Sequence, residues 1–396
     1  MNWKSWRAIS LTALLAMSMV AGCGAGKTSE KDASNADRVG TAPKKKLTLW
    51  ATGSDNVRTI FETLTKDFNT NSEYAGKFEV ELQFMLSGTG TQTLTDMIIA
   101  AHQAGEKETS YDLVDLSGDD WSKLVSRIGE DAFVKLDQSQ LPNASKITAK
   151  NAVGQECSLP YRGTTVVLAY DSAKVPEPPK TVGDLVAWMK KNPGRFAYNT
   201  PGTGGAGDSF ARTSVYNTLP TEAIVSDDEK WVKEWDKGFA YLKDIHQYMY
   251  KSGGSVVYPN KNQGTLDLLN QGEIDMCPNW ADMVLSQRAK GAIKDSIKIA
   301  QISPSFTGSL QSLVIPKFGS NNPGAYAFMN YILSKQAQTI MVKEMAAIPL
   351  IDSKEIDLKG YEDLANLDVS AFRIMSIGKL STAFNERWDR EIATIG

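Results

Sequence analysis

Histidine is almost missing from this 396-residue chain, which has only His102 and His246, far apart in sequence. A zinc centre or a Ser-His-Asp relay would have to draw on one of them. Neither lies in a signature such as H-E-x-x-H. There is no G-x-S-x-G elbow and no nucleophile with a positioned base, and the glycine loop Pro201 to Ser209 is not followed by the Gly-Lys-Ser/Thr that would make it a phosphate loop. Catalysis, a metal and a cofactor are therefore not expected. Charge of one sign is lacking too: 43 basic residues face 46 acidic ones, a formal net charge of −3. Nucleic-acid binding needs clustered Lys and Arg to replace phosphate counterions, so that class is set aside. The one conspicuous apolar run, Ile9 to Val20, falls short of the ~20 residues that span a bilayer.

What is present begins at the N-terminus. Lys4 and Arg7 precede that apolar run, the pattern of a secretory leader. It ends in Val20-Ala21-Gly22-Cys23, which resembles the bacterial lipobox, whose cysteine is diacylated and becomes the new N-terminus. The bland alternative is a plain leader with a chance cysteine. Two fatty chains give stable anchoring where one is marginal. Residues 1–22 are thus read as a signal peptide and Cys23 as the lipidation site. Gly24 to Lys46 contains almost no large apolar side chain and reads as a flexible tether. This places the body on the extracytoplasmic face of the cell membrane. Cys157 and Cys277 are left over; they either pair in that oxidising setting or sit as two buried thiols.

The remaining chain is long enough for two domains, and 42% hydrophobic with 22% charged residues is globular composition. It alternates strand, polar loop and helix. Leu47 to Trp50 reads as a strand. A helix with Val57, Ile60, Phe61, Leu64 and Phe68 on one face follows. Phe78 to Phe84, Tyr111 to Leu116, Val166 to Tyr170, Arg195 to Tyr198, Ile274 to Met276 and Ile297 to Ile302 read as further strands. Thr181 caps a helix that stops at Asn192-Pro193-Gly194, and one long helix is expected from Asp228 to Tyr250. The pattern predicts an α/β fold of two lobes, each a mostly parallel sheet flanked by helices, with ligand loops beyond the strand ends.

Those loops supply the candidate site: Thr52, Gly53, Ser54 and Asp55; Ser87, Gly88 and Thr89; Ser117 and Asp119; Gly204, Gly205 and Ala206; Asn279, Trp280 and Asp282; and Ser309. Glycines in Pro201 to Ser209 can turn backbone N–H groups toward a ligand at a helix start, a place that favours anions; the alternative is a flexible turn before a capped helix. Tyr161 and Trp280 offer flat faces for stacking or for a cation, although core packing is commoner for aromatics, and Trp50 and Trp121 are read as core. The acidic residues at helix starts are helix caps in the plain reading and contacts for a cation in the sharper one. Arg162 pulls toward a carboxylate or phosphate. Both signs together suit a zwitterion or a compound such as a phosphorylated thiamine; a thiamine-like, polyamine-like or zwitterionic solute is expected.

Three stretches carry a family resemblance. Ser158-Leu159-Pro160-Tyr161-Arg162-Gly163-Thr164 with Val166 to Ser172, Gly264 to Trp280, and Phe328 to Gln338 occur in the order seen in the extracellular solute-binding proteins of ABC importers. The run from Ala169 to Phe210 looks closest to an uncharacterised subgroup related to thiamine-, iron- and polyamine-binding proteins. The resemblance implies a monomer whose lobes close over a small-molecule ligand and deliver it to permease subunits. Residues 47–158 plus about 304–396 would form lobe 1 and 159–303 lobe 2, with the C-terminal helices free to join either. No pair of adjacent tyrosines stands where iron binders of this class place them. Alternatives are a carbohydrate as ligand, a ligand-presenting partner of a membrane sensor, or an extracytoplasmic hydrolase.

Overall fold

The computed structural model describes residues 43–53, 55–86, 92–148 and 156–395. Cys23, the tether up to residue 42, Ser54, and Ser87, Gly88 and Thr89 lie outside them. The first part runs β1 (Lys45–Gly53), α1 (Asp55–Asn71), β2 (Phe78–Leu86), α2 (Leu94–Gln103), β3 (Leu113–Leu116) and α3 (Gly118–Ile128). The second runs β4 (Ser158–Asp171), α4 (Val182–Lys191), α5 (Ala206–Tyr216), α6 (Asp236–His246), a small hairpin of β5 (Lys251–Ser252) and β6 (Ser255–Val256), then α7 (Lys261–Gln271), β7 (Met276–Trp280), α8 (Ala281–Ala289) and β8 (Ile297–Ala300). The chain ends with β9 (Gly308–Val314), α9 (Asn322–Ile332), α10 (Lys335–Met345), β10 (Ile348–Pro349) and α11 (Leu380–Glu391). Among the described residues no helix is long and apolar enough to cross a membrane.

The fold is α/β, as expected, but its strand directions are more mixed than a mostly parallel reading allows. β1 lies parallel to both β2 and β3, and Phe196 bridges Met249 and Met276 in parallel. Every pairing of β4 is antiparallel. Its first half, Ser158 to Thr165, pairs with β9, and its second half, Val166 to Asp171, pairs with β7 and β8. One 14-residue strand therefore links two regions of sheet. Hydrophobic spacing reports which face of a strand is buried, not the direction of its neighbour, so this feature was not legible.

Two further expectations change. The strand expected at Ile274 to Met276 instead starts at Met276 and continues through the segment taken for a loop to Trp280. Pro278 lies inside its ladder with β4, opposite Leu168. The helix expected from Asp228 to Tyr250 is two pieces, a 3₁₀ turn at Glu229–Glu234 and then α6. The break lets the fully buried Trp235 enter the core while Gly238 lies against Val215 of α5, where a Cβ would come within 2.5 Å of the Val215 Cα.

The core is divided in the same way as the sheet. Phe61, Phe68 and Phe328 join α1 to α9 and α10, and Ile98, Trp121 and Phe133 form a second cluster beneath α2 and α3. Phe210, Trp235, Phe384 and Trp388 join α5, α6 and α11, while Leu269, Cys277 and Val284 pack under α7 and α8. Cys157 belongs to the α2–α3 cluster and Cys277 to the α7–α8 cluster. Both are buried free thiols, so of the two possibilities left open for them the pairing is not the one formed. Burial pushes the Cys277 thiol up to about 12.

Candidate functional site

Two cavities adjoin at Ser117 and Trp280, which line both. The larger, about 890 Å³, is walled by the start of α3, the start of α5, β9 and the segment Ile374 to Gly378. The smaller, about 520 Å³, lies between the end of β1, Asp115 on β3, Arg162 and Thr164 on β4, and the start of α8. Volumes of this order suit a small organic molecule.

Of the expected residues, Ser117, Asp119, Gly205, Trp280 and Ser309 line the larger cavity, and Thr52, Gly53, Ser117, Arg162, Trp280 and Asp282 line the smaller. Asp55 opens α1. Tyr161, Gly204, Ala206 and Asn279 line neither cavity, and each has another task. Tyr161 is buried and donates to the Asp115 carboxylate at 2.8 Å. The Asn279 amide is fully buried; it donates to the Asn262 carbonyl at 3.0 Å and accepts from the Trp280 N–H at 2.9 Å.

The glycine loop does not present a row of free N–H groups. Ala206 N–H donates to Asn262 Oδ1 at 3.1 Å and Gly202 N–H to Asp208 at 2.6 Å. Asp208 also puts a carboxylate in the first turn of α5, ion-paired to Arg212 at 2.7 Å. A resident anion at that helix start removes the expected preference for an anionic ligand there. What the loop does is seat Trp280. The indole Nε1 donates to the Gly204 carbonyl at 3.0 Å. Gly205, at φ +92°, lies so close that a Cβ would meet the ring at 3.0 Å. Trp280 thus rests edge-on against the loop and stands between the cavities.

The smaller cavity carries most of the unbalanced charge. Asp115, Asp120 and Asp282 face a single cation, Arg162. A register irregularity between Pro160 and Arg162 re-aims β4 at this point, turning Tyr161 into the core and Arg162 to the cavity. Arg162 Nε donates to the Tyr161 hydroxyl at 3.3 Å, completing a chain to Asp115. Burial raises Asp115 to about 6, although Arg162 and the Tyr161 hydrogen bond pull it down. Burial also raises Asp282, opposed by Arg162. In the larger cavity Asp119 is raised by burial and hydrogen-bonds Ser376.

Asp115, Thr164, Arg212 and the 374–378 segment were not among the expected site residues. Asp115 had a legible signal, since a carboxylate inside the fully buried strand Leu-Val-Asp-Leu needs a reason. The segment at 374–378 had none. It reaches the site through Gly308 N–H to the Arg373 carbonyl (3.0 Å) and Ser376 N–H to the Ile224 carbonyl (2.9 Å), contacts far apart in sequence.

An α/β body with cavities at its strand ends, lined by charged and hydroxyl side chains as well as apolar ones, has the architecture of a solute-binding protein. A family model for bacterial extracellular solute-binding proteins matches residues 63–363, and the chain belongs to that family. Its fold is similar to several solved structures. Ferric iron-binding protein A of Mannheimia haemolytica, in an open conformation, is 12% identical with a TM-score of 0.60, over 87% of this chain and 98% of that one. The spermidine/putrescine ABC transporter substrate-binding protein PotD of Streptococcus pneumoniae is 15% identical with a TM-score of 0.58, over 88% and 98%. The cyclic α-maltosyl-1,6-maltose binding protein of Arthrobacter globiformis is 12% identical with a TM-score of 0.62, over 89% and 94%. At these identities the likeness establishes the fold. No curated protein matches the chain in sequence.

Proposed function

We propose that this chain is the solute-capturing component of an ABC-type importer, without catalytic activity, and that its solute carries positive charge. The observation that supports the ligand class is the ratio of three carboxylates to one guanidinium around the smaller cavity, beside the Trp280 ring. A cation there gains Coulomb attraction in a partly dry site and the face of an indole. On this reading β4 and the Thr307–Gly308 segment are the crossings between two lobes. Residues 47–165 with β9, α9 and α10 form one lobe, and 166–303 with α11 form the other. Solute enters between them and is handed to permease subunits. A carbohydrate ligand is the second reading, favoured by the hydroxyls of Ser309, Ser312 and Ser381 in the larger cavity.

A thermal-shift screen of the purified mature chain against polyamines, thiamine derivatives, sugars and metals tests this. A compound bearing a cationic group is expected to stabilise the protein most; stabilisation by neutral sugars alone would reject the charge assignment. The response should depend on pH. Asp115 is protonated below about 6 in the free protein, and a bound cation favours its charged form. Affinity is therefore expected to be flat above pH 6 and to fall about tenfold per pH unit below it. In the absence of ligand the sign reverses for stability. The raised carboxyl binds its proton more tightly folded than unfolded, so its contribution weakens as pH rises from about 4 to 6.

We further propose that the protein is held at the membrane through lipid on Cys23, a reading supported by Val20 to Cys23 at the end of the apolar run. Cys23→Ala is expected to move the protein from the membrane fraction to the soluble one. A variant that stays equally membrane-bound would rule lipidation out.

A further inference from the structure

Arg162 is only 6% exposed yet lines the smaller cavity. Its Nε donates to the Tyr161 hydroxyl, and its guanidinium stands over the Tyr161 ring at 5.7 Å. These two contacts fix the plane of the group. Among the described residues its terminal nitrogens Nη1 and Nη2 donate no hydrogen bond and make no ion pair, and neither is sealed from the cavity. The neighbouring carboxylates attract it through space but none pairs with it directly, and each keeps acceptor capacity beyond its hydroxyl partners. Asp115 accepts from Tyr161, Asp120 caps α3 through Ser117, and Asp282 accepts from Thr164 at 3.4 Å. A buried guanidinium with an open planar fork is costly unless an acceptor meets it, and the acceptor that fits is a two-oxygen anion.

We propose that Arg162 seats an anionic group of the solute, so that the captured molecule is a zwitterion with a carboxylate or phosphate on the Arg162 fork and an ammonium held by Asp282 and Asp120. The inference rests on the solute-capture reading above and narrows it: the acidic surroundings draw the molecule in, and Arg162 selects it. A neutral sugar would leave the fork unmet, and a simple amine would bring a second positive charge beside it.

Calorimetric titration of the purified mature chain at neutral pH tests this with β-alanine, phosphoethanolamine, ethanolamine, acetate and inorganic phosphate. One zwitterion is expected to bind about thirty-fold or more tighter than ethanolamine, the effect of pairing a buried charge. Whether that is β-alanine or phosphoethanolamine identifies the anionic group. Arg162→Gln should erase this preference by weakening the zwitterion, while ethanolamine, relieved of the like charge, should bind at least as tightly as before. Because Arg162 also supports Asp115, a second variant guards against misfolding: Asp282→Asn should weaken the zwitterion while the better of acetate and phosphate binds no more weakly than before. Ethanolamine binding as tightly as both zwitterions, or a preference that survives Arg162→Gln, overturns the inference. If no probe binds but the broad screen yields a neutral solute, the inference fails and solute capture stands; if that screen is silent as well, both fail.

Discussion

Gly207→Ala is expected to destabilise the folded protein by about 3 kcal/mol, at the upper end for forcing one extra carbon into a packed site. Gly207 lies in the first turn of α5, pressed against the chain that precedes the glycine loop. A Cβ at this position would sit 1.7 Å from the Asn199 carbonyl oxygen and 2.7 Å from its carbon. These are backbone atoms, so no rotamer change relieves the clash; either α5 or the Asn199 segment must move. Both are closely held. Asn199 is fully buried, and α5 is buried along nearly its whole length against Phe239 and Trp235 of the neighbouring core. The same helix carries Asp208, Ser209 and Arg212 into the wall of the larger cavity, so loss of solute binding should accompany the loss of stability. Urea unfolding provides the measurement. Gly76→Ala is the control, because a Cβ there meets nothing within 4 Å, and it should stay within about 0.5 kcal/mol of the parent. A Gly207→Ala protein with the parent's midpoint would mean that α5 does not approach Asn199 so closely.

Much of this architecture is legible in the sequence. The i, i+3, i+4 spacing of Val57, Ile60, Phe61, Leu64 and Phe68 describes α1, and all five side chains are buried. The strand–loop–helix punctuation at Gly53, Ser117 and Trp280 marks places that line the cavities, because those residues combine a strand end with a helix start, where side chains are freed from packing. What escaped was long-range. β4 is one strand whose two halves serve different neighbours, and its partners β7, β8 and β9 are separated from it by about a hundred residues or more of sequence. Tyr161 and Arg162 show the limit more sharply. They are adjacent, both are polar-tipped, and a single irregularity of the ladder sends one into the core and the other to the cavity. The glycine loop was misread for a related reason. Its glycines suggest exposed N–H groups, but Asp208 accepts from the Gly202 N–H, and Asn262, 56 residues beyond Ala206, arrives on α7 to accept from the Ala206 N–H and donate to the Gly204 carbonyl. Local chemistry identifies which groups are available, and tertiary partners decide which of them stay available.

Trp280→Ala should abolish most of the affinity for the solute while leaving the fold in place. The indole is partly exposed at the end of β7, borders both cavities, and is held by one hydrogen bond to Gly204 and by contact with Gly205. Removing it subtracts a flat apolar face from a site that otherwise offers charges and hydroxyls, and it merges the two cavities so that water reaches Asp282 and Arg162. A central aromatic of this kind costs about 2–4 kcal/mol on truncation, which is about thirty- to a thousand-fold in affinity. Trp280→Phe separates the two contributions: the ring face survives and the hydrogen bond to Gly204 is lost, so affinity should fall between the parent and the alanine variant. Calorimetry with the best compound from the thermal-shift screen measures the series, and tryptophan emission provides a second readout. Among the described residues, Trp280 and Trp121 are the tryptophans that line these two cavities, and Trp121 is buried; the ligand-dependent change in emission should therefore be largely lost in Trp280→Phe. Full affinity in Trp280→Ala would show that the solute does not reach the junction of the cavities, and the charges of Asp115, Asp120, Asp282 and Arg162 would then need another explanation.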